Sequence, residues 1–263
     1  MNHTAPGLRH GDFTGLAENY GAFRPAYAES VLVALLNLLD KPTSDLDVID
    51  VGAGTGIWTR MLAGRGLHSL VAVEPNDDMR TVGQKQSTTQ EIIWRKGKGE
   101  ETGEARSSAD LVTMASSFHW VDFDRGLAEF HRLLRPHGRF AALWNPRYLE
   151  DSPLLKGIEA TLHAMVPELS RVSSGRAGLT HSLTEKLRQR TDFTDVVYME
   201  AFHKVSLTPE QYLGVWWSVN DVRVQAGEER FSAFMDHVAK SVAHLTHIET
   251  TYQTRLWTAR KVG

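Results

Sequence analysis

Three glycines at alternate positions, Gly52, Gly54 and Gly56, follow an apolar run in the stretch DVIDVGAGTGIWTRML at 47–62. Glycine inside a strand or helix costs about 0.5–1 kcal/mol relative to alanine, so three of them together indicate a specific use of the backbone. An apolar β-branched run, a glycine-rich turn and a helix-like segment, in that order, predict a strand–turn–helix unit. Without Cβ atoms, the turn lets a ligand approach the chain closely.

Strand-like and helix-like segments alternate through the first half of the chain. This alternation predicts a parallel sheet that is covered by helices on both faces. The predicted strands lie at 46–52, 69–75, 91–97, 109–117 and 139–145, and the predicted helices lie at 26–40, 57–66, 76–85 and 122–138.

The second half has a different pattern. It is mostly helical over 151–190, with a loop at 171–181, and it has further helical segments at 208–219 and 227–245 and strands at 194–207 and 248–261. The predicted fold class is therefore α/β, with a Rossmann-like, seven-stranded, mostly parallel sheet and a helical cap on the substrate side. We predict a single domain over 1–263, with an N-terminal lid and first helix at 1–40, a cofactor-binding core at 41–150, cap insertions at 151–192 and 207–245, and final strands at 193–206 and 246–263.

The composition of the chain excludes several classes of partner and of functional site. The net charge of −3 and the pI near 6.5 argue against nucleic acid and against an anionic membrane surface as partners. The chain has no cysteine, which excludes disulfides, thiolate zinc sites and cysteine nucleophiles. His244 and His247 lack an accompanying carboxylate motif, so no metal is predicted. The N-terminus has no apolar signal core, and the apolar run at 31–39 is too short to span a bilayer, so a soluble, cytoplasmic protein is expected.

Two nucleotide-binding interpretations compete for the glycine turn. The dinucleotide fingerprint requires a further glycine at position 57, where Ile57 stands, and this argues against a nicotinamide cofactor. Asp50 places a carboxylate suited to an ammonium group at the end of the strand. Glu74, at the end of the next strand, is placed to accept two ribose hydroxyls. An amino-acid ammonium group together with a ribose predicts S-adenosylmethionine, whereas a plain turn would explain only one of the glycines.

The motifs DVGAGTG, VAVEP, ADLVTMASSFHWVD and LLRPHGRFAALWN resemble, in that order, those of class I S-adenosylmethionine-dependent methyltransferases. More narrowly, they resemble the type-11 small-molecule group, which includes trans-aconitate methyltransferase-like and juvenile hormone acid methyltransferase-like enzymes. The upstream segment ENYGAFRPAYAESV is similar to the Tyr–Arg–Pro–Tyr segment of that group, and SLTPEQYLGVWWSVND is similar to its substrate-side helix.

The resemblance implies a set of cofactor contacts. The turn would face the methionine and ribose, Asp50 would lie below the amino group, and Glu74 would hold the ribose. Arg24 would face the methionine carboxylate from a cover at 10–27 that the cofactor orders. The full predicted cofactor set is Tyr20, Arg24, Asp50, Gly52, Ala53, Gly54, Glu74, Pro75, Asn76, Gly99 and Ser116.

The chain departs from the family pattern in two places. The family usually carries an acidic or amide residue after the third strand to accept from the adenine amino group, but the sequence there has Lys98 before Gly99. Lysine cannot accept a hydrogen bond. Either backbone groups read the adenine, or the alignment is shifted by one or two residues. His137 stands where glycine is usual, and we interpret it as a turn substitution remote from the chemistry.

A sulfonium methyl donor needs no covalent nucleophile, because transfer is an in-line displacement helped mainly by positioning. A base is needed only for a protonated acceptor. His119, just after the fourth strand, is the catalytic candidate, either as base or as positioner of the substrate. An apolar pocket for a planar or apolar substrate is predicted from aromatic residues at strand ends and on the cap, namely Trp120, Trp144, Tyr148, Trp216 and Trp217.

The sequence therefore predicts a methyltransferase that acts on an oxygen or nitrogen of a small metabolite in specialised metabolism, as a monomer or homodimer. Carbon methylation stays open, as does a non-catalytic S-adenosylmethionine-binding role. A nucleic-acid or protein methyltransferase is disfavoured by the acidic balance. The fourth strand is also followed by ASSF rather than by an Asn/Asp-Pro-Pro-aromatic motif.

Overall fold

The predicted strands assemble into one sheet in the computed structural model, which describes residues 15–170, 175 and 178–263. Its central part is parallel, with strand order β3-β2-β1-β4-β5, and β8 then pairs antiparallel with β5. The strands are β1 (Asp47–Val51), β2 (Ser69–Val73), β3 (Ile93–Arg95), β4 (Ala109–Ala115), β5 (Leu134–Trp144), β6 (Arg147–Tyr148), β7 (Phe193–Leu207) and β8 (Ile248–Lys261).

The strand β8 has partners on both of its edges. One edge pairs with β7 along almost the whole strand. The other edge pairs first with β5 and then, beyond the end of β5, with the two-residue strand β6. The seven predicted strands are therefore present, β6 adds a short extension, and the predicted fold class is confirmed.

Helices fill the connections between strands. Two of them, α2 and α3, are short and apolar on the side that meets the sheet. The helices are α1 (Ala17–Phe23), α2 (Glu29–Leu36), α3 (Ile57–Ala63), α4 (Asp77–Gln86), α5 (Phe123–Leu133), α6 (Pro153–Met165), α7 (Leu179–Arg188), α8 (Pro209–Trp217) and α9 (Asn220–Val242), with single 3-10 turns at Thr43–Asp45 and Phe118–Trp120.

The two faces of the sheet carry separate apolar cores. Successive side chains of a strand point to opposite faces. In β1, Val48 packs with Leu32 of α2 and Trp58 of α3, whereas Ile49 belongs to the core on the opposite face, which includes Phe130 of α5. Both faces of β1 are therefore buried, as a central parallel strand requires.

The cap has a core of its own, built mainly by α6, α8 and α9 and including Leu162, Trp216 and Phe234. The predicted helix at 227–245 begins earlier than expected, at Asn220, because Val222 and Ala226 also pack into this core. Gly227 breaks the helical geometry with φ 74°. The prediction had placed the helix start at this break.

The predicted helix at 122–138 is wrong at its end, since α5 stops at Leu133 and β5 begins at Leu134. The next residues form a bulge, because the pairing with β4 jumps from Leu134 to Arg139. Arg135 fixes the bulge by donating to Asp110 at 2.8 Å and to Asp47 at 2.7 Å. His137 lies in the bulge with φ 66°.

The N-terminal part also differs from prediction. The helix predicted at 26–40 is limited to Glu29–Leu36, and α1 was not predicted. Pro25 explains the separation of α1 and α2, because the residue before a proline is disfavoured in helical geometry. Residues 10–14 of the predicted cover, and 171–174 and 176–177 of the cap, lie outside the described residues.

The contact between α1 and α8 supports a stability prediction. An added Cβ at Gly214 would lie 2.3 Å from ring atoms of Phe23, whereas a Cβ at Gly157 of α6 would meet nothing within 4 Å. We expect Gly214→Ala to reduce the free energy of unfolding by about 1–3 kcal/mol through overpacking. We expect Gly157→Ala to raise it by about 0.5–1 kcal/mol. Urea denaturation measures both, and equal stability of the two variants would contradict the packing of α1 on α8.

Candidate functional site

A cleft of about 300 Å³ opens at the carboxyl ends of β1, β2 and β4. In a parallel α/β sheet this edge is where ligands bind. Tyr27, Met79, Lys98, Glu100 and Val121 line it in addition to predicted residues. The predicted residues that line it are Tyr20, Gly52, Ala53, Gly54, Glu74, Pro75, Asn76, Gly99, Ser116 and Trp120.

The glycine turn forms one wall of the cleft. Gly52 and Gly54 have φ 63° and 59°, in the left-handed region that favours glycine. A Cβ at Gly52 would lie 2.7 Å from Ser117 Oγ, whereas one at Gly54 would meet nothing within 4 Å. Gly52 is therefore needed for the fit of the turn against β4, and Gly54 leaves its backbone open to a ligand.

Glu74 bridges two turns at the floor of the cleft. Its Oε2 accepts from the N–H of Gly54 and its Oε1 from the N–H of Asn76, both at 2.8 Å. Burial raises the pKa of Glu74, although the two backbone hydrogen bonds oppose the rise. Each carboxylate oxygen has a second lone pair, which leaves it able to accept a hydroxyl.

Asp50 lies beneath the turn and not in the wall of the cleft. Its two carboxylate oxygens accept from the hydroxyls of Thr59, at 2.6 Å, and Thr113, at 2.8 Å. Burial raises the pKa of Asp50 to about 7, against the effect of these hydrogen bonds. The predicted contact with an amino group stays a prediction. The threonine partners were not identified from sequence.

Arg24 is also set back from the cleft. Its Nε donates to Ser218 Oγ at 2.8 Å, and its guanidinium lies 5.0 Å from the ring centroid of Tyr20. Arg24 thus joins the end of α1 to the end of α8, and its contact with a cofactor carboxylate stays a prediction. Tyr27, which received no role from sequence, has its hydroxyl 2.9 Å from Ser116 Oγ inside the cleft.

The adenine end contains an acid that the sequence did not assign. Lys98 and Gly99 line the cleft as expected, and Glu100 lines it beside them. The Glu100 carboxylate accepts from the N–H of Asp122 at 3.0 Å. Unlike Lys98, this carboxylate can accept a hydrogen bond, and it lies one residue after the predicted glycine.

His119 is held by an indole. Trp144 Nε1 donates to His119 Nδ1 at 3.1 Å, and the ring of Trp120 lies 4.5 Å away. Burial lowers the pKa of His119 to about 4, although Asp221 raises it. The imidazole is therefore neutral near neutral pH. Because Nδ1 accepts, its proton lies on Nε2, which is buried and has no hydrogen-bond partner in the described part of the chain. His119 therefore carries a buried hydrogen-bond donor, and it lies beside Trp120 without itself lining the cleft.

The other predicted pocket residues separate into different environments. Trp144 is fully buried and packs edge-on against Trp257. Its connection to the site is the hydrogen bond that it donates to His119. Trp216 is buried in the cap, and Trp217 is 38% exposed beside Phe231. Tyr148 lines a separate shallow groove. Only Trp120 of this predicted set lines the cleft within the described residues.

Residues 15–170, 175 and 178–263 contain neither a metal-binding cluster nor a membrane-spanning helix. No group of three or more His, Cys, Asp or Glu side chains is arranged there to hold a metal ion. Nor does any helix in that part combine the length and apolar character needed to cross a bilayer.

The part of the chain that contains the glycine turn is similar to known methyltransferases. Residues 49–142 match the model of the methyltransferase domain. An uncharacterized methyltransferase of Mycobacterium tuberculosis is 37% identical over 128 residues, which is 49% of this chain and 49% of that protein. The chain thus spans about half the length of the curated relatives it matches.

Solved structures agree with this fold. A provisionally assigned type II methyltransferase from Anaeromyxobacter dehalogenans superposes with a TM-score of 0.67 at 19% identity, covering 92% of this chain and 99% of that one. Phosphoethanolamine N-methyltransferase 2 of Haemonchus contortus, in complex with S-adenosyl-L-methionine, superposes with a TM-score of 0.55 at 14% identity, covering 100% of this chain and 62% of that one. The family, enzyme class and cofactor predictions are confirmed at the level of the domain.

The neutral histidine has a testable effect on stability. The folded pKa of about 4 lies below the ordinary value of 6.5, so the unfolded chain binds the proton more readily. The contribution of His119 to the free energy of unfolding is fully present above the pKa that this group has in the unfolded chain. It is lost as the pH falls to the pKa that the group has in the folded protein. We therefore expect the stability of the wild type relative to His119→Asn to decrease from pH 6.5 to pH 4, measured by urea denaturation. The exposed His163 of α6 is the control position, and a difference that does not change with pH would contradict the burial of His119.

Proposed function

We propose that this protein, whose residues 49–142 form a class I S-adenosylmethionine-dependent methyltransferase domain of the type-11 group, transfers a methyl group to an oxygen or nitrogen of a small metabolite. The observation that carries the proposal is the Glu74 bridge beside the open backbone of Gly54. It places a buried diol acceptor next to a surface that a nucleoside can approach.

The lining of the cleft fits S-adenosylmethionine in its chemistry. Glu74 would hold the two ribose hydroxyls, and Glu100 would accept from the adenine amino group. Met79 and Val121 supply apolar contact on this side of the cleft. At the other end, Tyr20 and Tyr27 would cover the methionine portion, with Arg24 behind Tyr20. When bound, the cofactor supplies an activated methyl group on a sulfonium.

The protein's task is then to orient the acceptor. His119 Nε2–H would donate a hydrogen bond to an acceptor oxygen, which keeps a second lone pair for the methyl group. An acceptor nitrogen has a single lone pair, so with such a substrate the hydrogen bond would go to another atom of the substrate. A neutral imidazole with a pKa of about 4 is a poor proton acceptor near neutral pH. A carboxylate acceptor needs no deprotonation. Any other acceptor would lose its proton to solvent or to another group, and His119 acts as positioner.

We infer a small substrate, and not a macromolecule, from the helical cap. The cap has a core of its own, and α1, whose Tyr20 lines the cleft, is joined to α8 of the cap through Arg24 and Ser218. A metabolite fits beneath such a cap, whereas a duplex or folded protein would require it to open. We propose no nucleic-acid or membrane partner, and a monomer or homodimer.

Cofactor binding tests the Glu74 bridge. In Glu74→Gln an amide nitrogen replaces one oxygen and cannot accept from Gly54 or Asn76. We expect the affinity for S-adenosylhomocysteine, measured by calorimetry, to fall by about 1.5–3 kcal/mol, the range for hydrogen bonds to a charged group. Glu185→Gln, exposed on α7, is the matched control. Wild-type affinity in a Glu74→Gln variant that melts normally would remove Glu74 from the ribose site.

Turnover tests the role of His119 once an acceptor is found by screening metabolite extracts for labelled methyl incorporation. Asparagine retains an N–H donor, so we expect His119→Asn to keep most of the turnover. His119→Ala should mainly raise KM, by roughly 2–10-fold for a lost hydrogen bond. Loss of a general base would instead lower kcat by roughly 10²–10⁴-fold in both variants. Recovery of a slow Asn variant at alkaline pH would show that His119 is a base after all.

A further inference from the structure

The strand β7 is the outermost strand on the antiparallel side of the sheet. It is 15 residues long and pairs with β8 along one edge. No other strand in the described part of the chain pairs with it. An edge strand of this length offers a row of backbone N–H and C=O groups to a further strand. A bulge between Thr194 and Val197 interrupts the strand near its start, and the pairing then runs without a break to Leu207.

One face of β7 carries two large aromatic side chains that stay exposed. Tyr198 and Phe202 are four residues apart and therefore point to the same face of the strand. They are 40% and 53% exposed. Phe202 lies edge-on against Tyr148 of β6 at a centroid distance of 4.9 Å, and this contact leaves the residue about half exposed. Single exposed apolar residues are ordinary, but two aromatic rings together on an edge strand indicate a contact surface for another chain.

The sequence around Phe202 is self-complementary. Glu200 and Lys204 lie two residues to either side of it, on the same face of the strand, and both are exposed. In an antiparallel pairing of two β7 strands about a two-fold axis at Phe202, Glu200 of each copy would lie opposite Lys204 of the other. The two phenylalanine rings would meet at the axis. On the opposite face, the same register would place Met199 opposite Val205.

Neighbouring two-fold registers match less well. An axis at Glu200 would place two carboxylates opposite each other, and an axis at Lys204 would do the same with two ammonium groups. Axes at Ala201 and His203 would place one of these charges opposite the apolar ring of Phe202. Like charges directly opposite each other destabilise a strand pair, whereas opposite charges stabilise it. The charge pattern therefore favours the axis at Phe202.

We propose that this protein forms a homodimer in which two β7 strands pair antiparallel about a two-fold axis at Phe202. The inference goes beyond the proposed function, since methyl transfer makes no use of this edge. A two-fold interface is closed, so association ends at two copies. Lysine on an edge strand normally discourages pairing. Here Glu200 of the second copy would neutralise Lys204 in one register only, so the lysine would select that register against others.

Cysteine cross-linking tests the register, because the chain has no cysteine of its own. In Phe202→Cys the two thiols would lie directly opposite each other, within the Cα separation that a disulfide spans. In Glu200→Cys, the matched control on the same face, they would lie about 14 Å apart along the strands. We expect mild oxidation of the full-length protein to give a covalent dimer on a non-reducing gel with Phe202→Cys alone.

Charge reversal tests the partner independently, by analytical ultracentrifugation of the full-length protein. The wild type should dimerise with rising concentration. We expect Lys204→Glu and Glu200→Lys each to raise the dimer dissociation constant by roughly tenfold or more, because each places like charges opposite each other at two symmetry-related positions. The double variant should return to within about threefold of the wild type, since the opposite charges are restored. Glu185→Lys, exposed on α7, should leave dimerisation unchanged.

Other results would overturn the β7 dimer. A wild-type protein that stays monomeric at every concentration does so, and protection of its β7 amides from hydrogen exchange would then assign the edge to another segment of the chain. A dimer that is insensitive to both charge reversals has its interface elsewhere, and equal cross-linking of the two cysteine variants rules out the register. If a charge variant fails to melt normally, the cross-link decides. Neither measurement involves the cofactor, so the dimer and the proposed function fail separately.

Discussion

The pairing of the Glu74 carboxylate with the backbone of two turns is the interaction on which the cleft depends. One oxygen holds the N–H of Gly54, after β1, and the other holds the N–H of Asn76, after β2. The loops that follow two adjacent parallel strands lie side by side at one edge of the sheet, and here one carboxylate joins them. A single buried acid does this and still faces the ligand space. The structural role and the proposed binding role therefore coincide at one side chain, and the glycines give the first turn its required geometry.

Burial also sets the protonation states of two titratable groups near the cleft. His119 and Asp50 both lie out of water, and low polarity favours the neutral form of each. The pKa of the histidine falls to about 4 and that of the aspartate rises to about 7. Their linkages to stability have opposite signs. The contribution of Asp50 to the free energy of unfolding is complete below its ordinary pKa of 3.8 and is lost as the pH rises through about 7. The contribution of His119 is lost on acidification.

Local signals made much of the fold and the cleft predictable. The glycine turn, Glu74 and the strand pattern are read within a few tens of residues, and they lie where the sequence placed them. The distant partners of Asp50 and Arg24 could not be found this way, because Thr113 and Ser218 lie 63 and 194 residues away in sequence. The end of α5 was missed for a related reason. The helical pattern runs on past Leu133, and the bulge that stops it is held by Arg135 through acids on β1 and β4.

The central position of β8 has a consequence for how the protein is made. This strand occupies the space between β5 and β7, yet it follows β5 by about a hundred residues of chain. Contacts between such distant segments are entropically costly to close and slow to form. During synthesis the edge of β5 therefore emerges from the ribosome without its neighbour and presents unpaired N–H and C=O groups, a template for association with other chains. The parallel half of the sheet can assemble early, but the sheet is completed only when β8 arrives between β5 and β7.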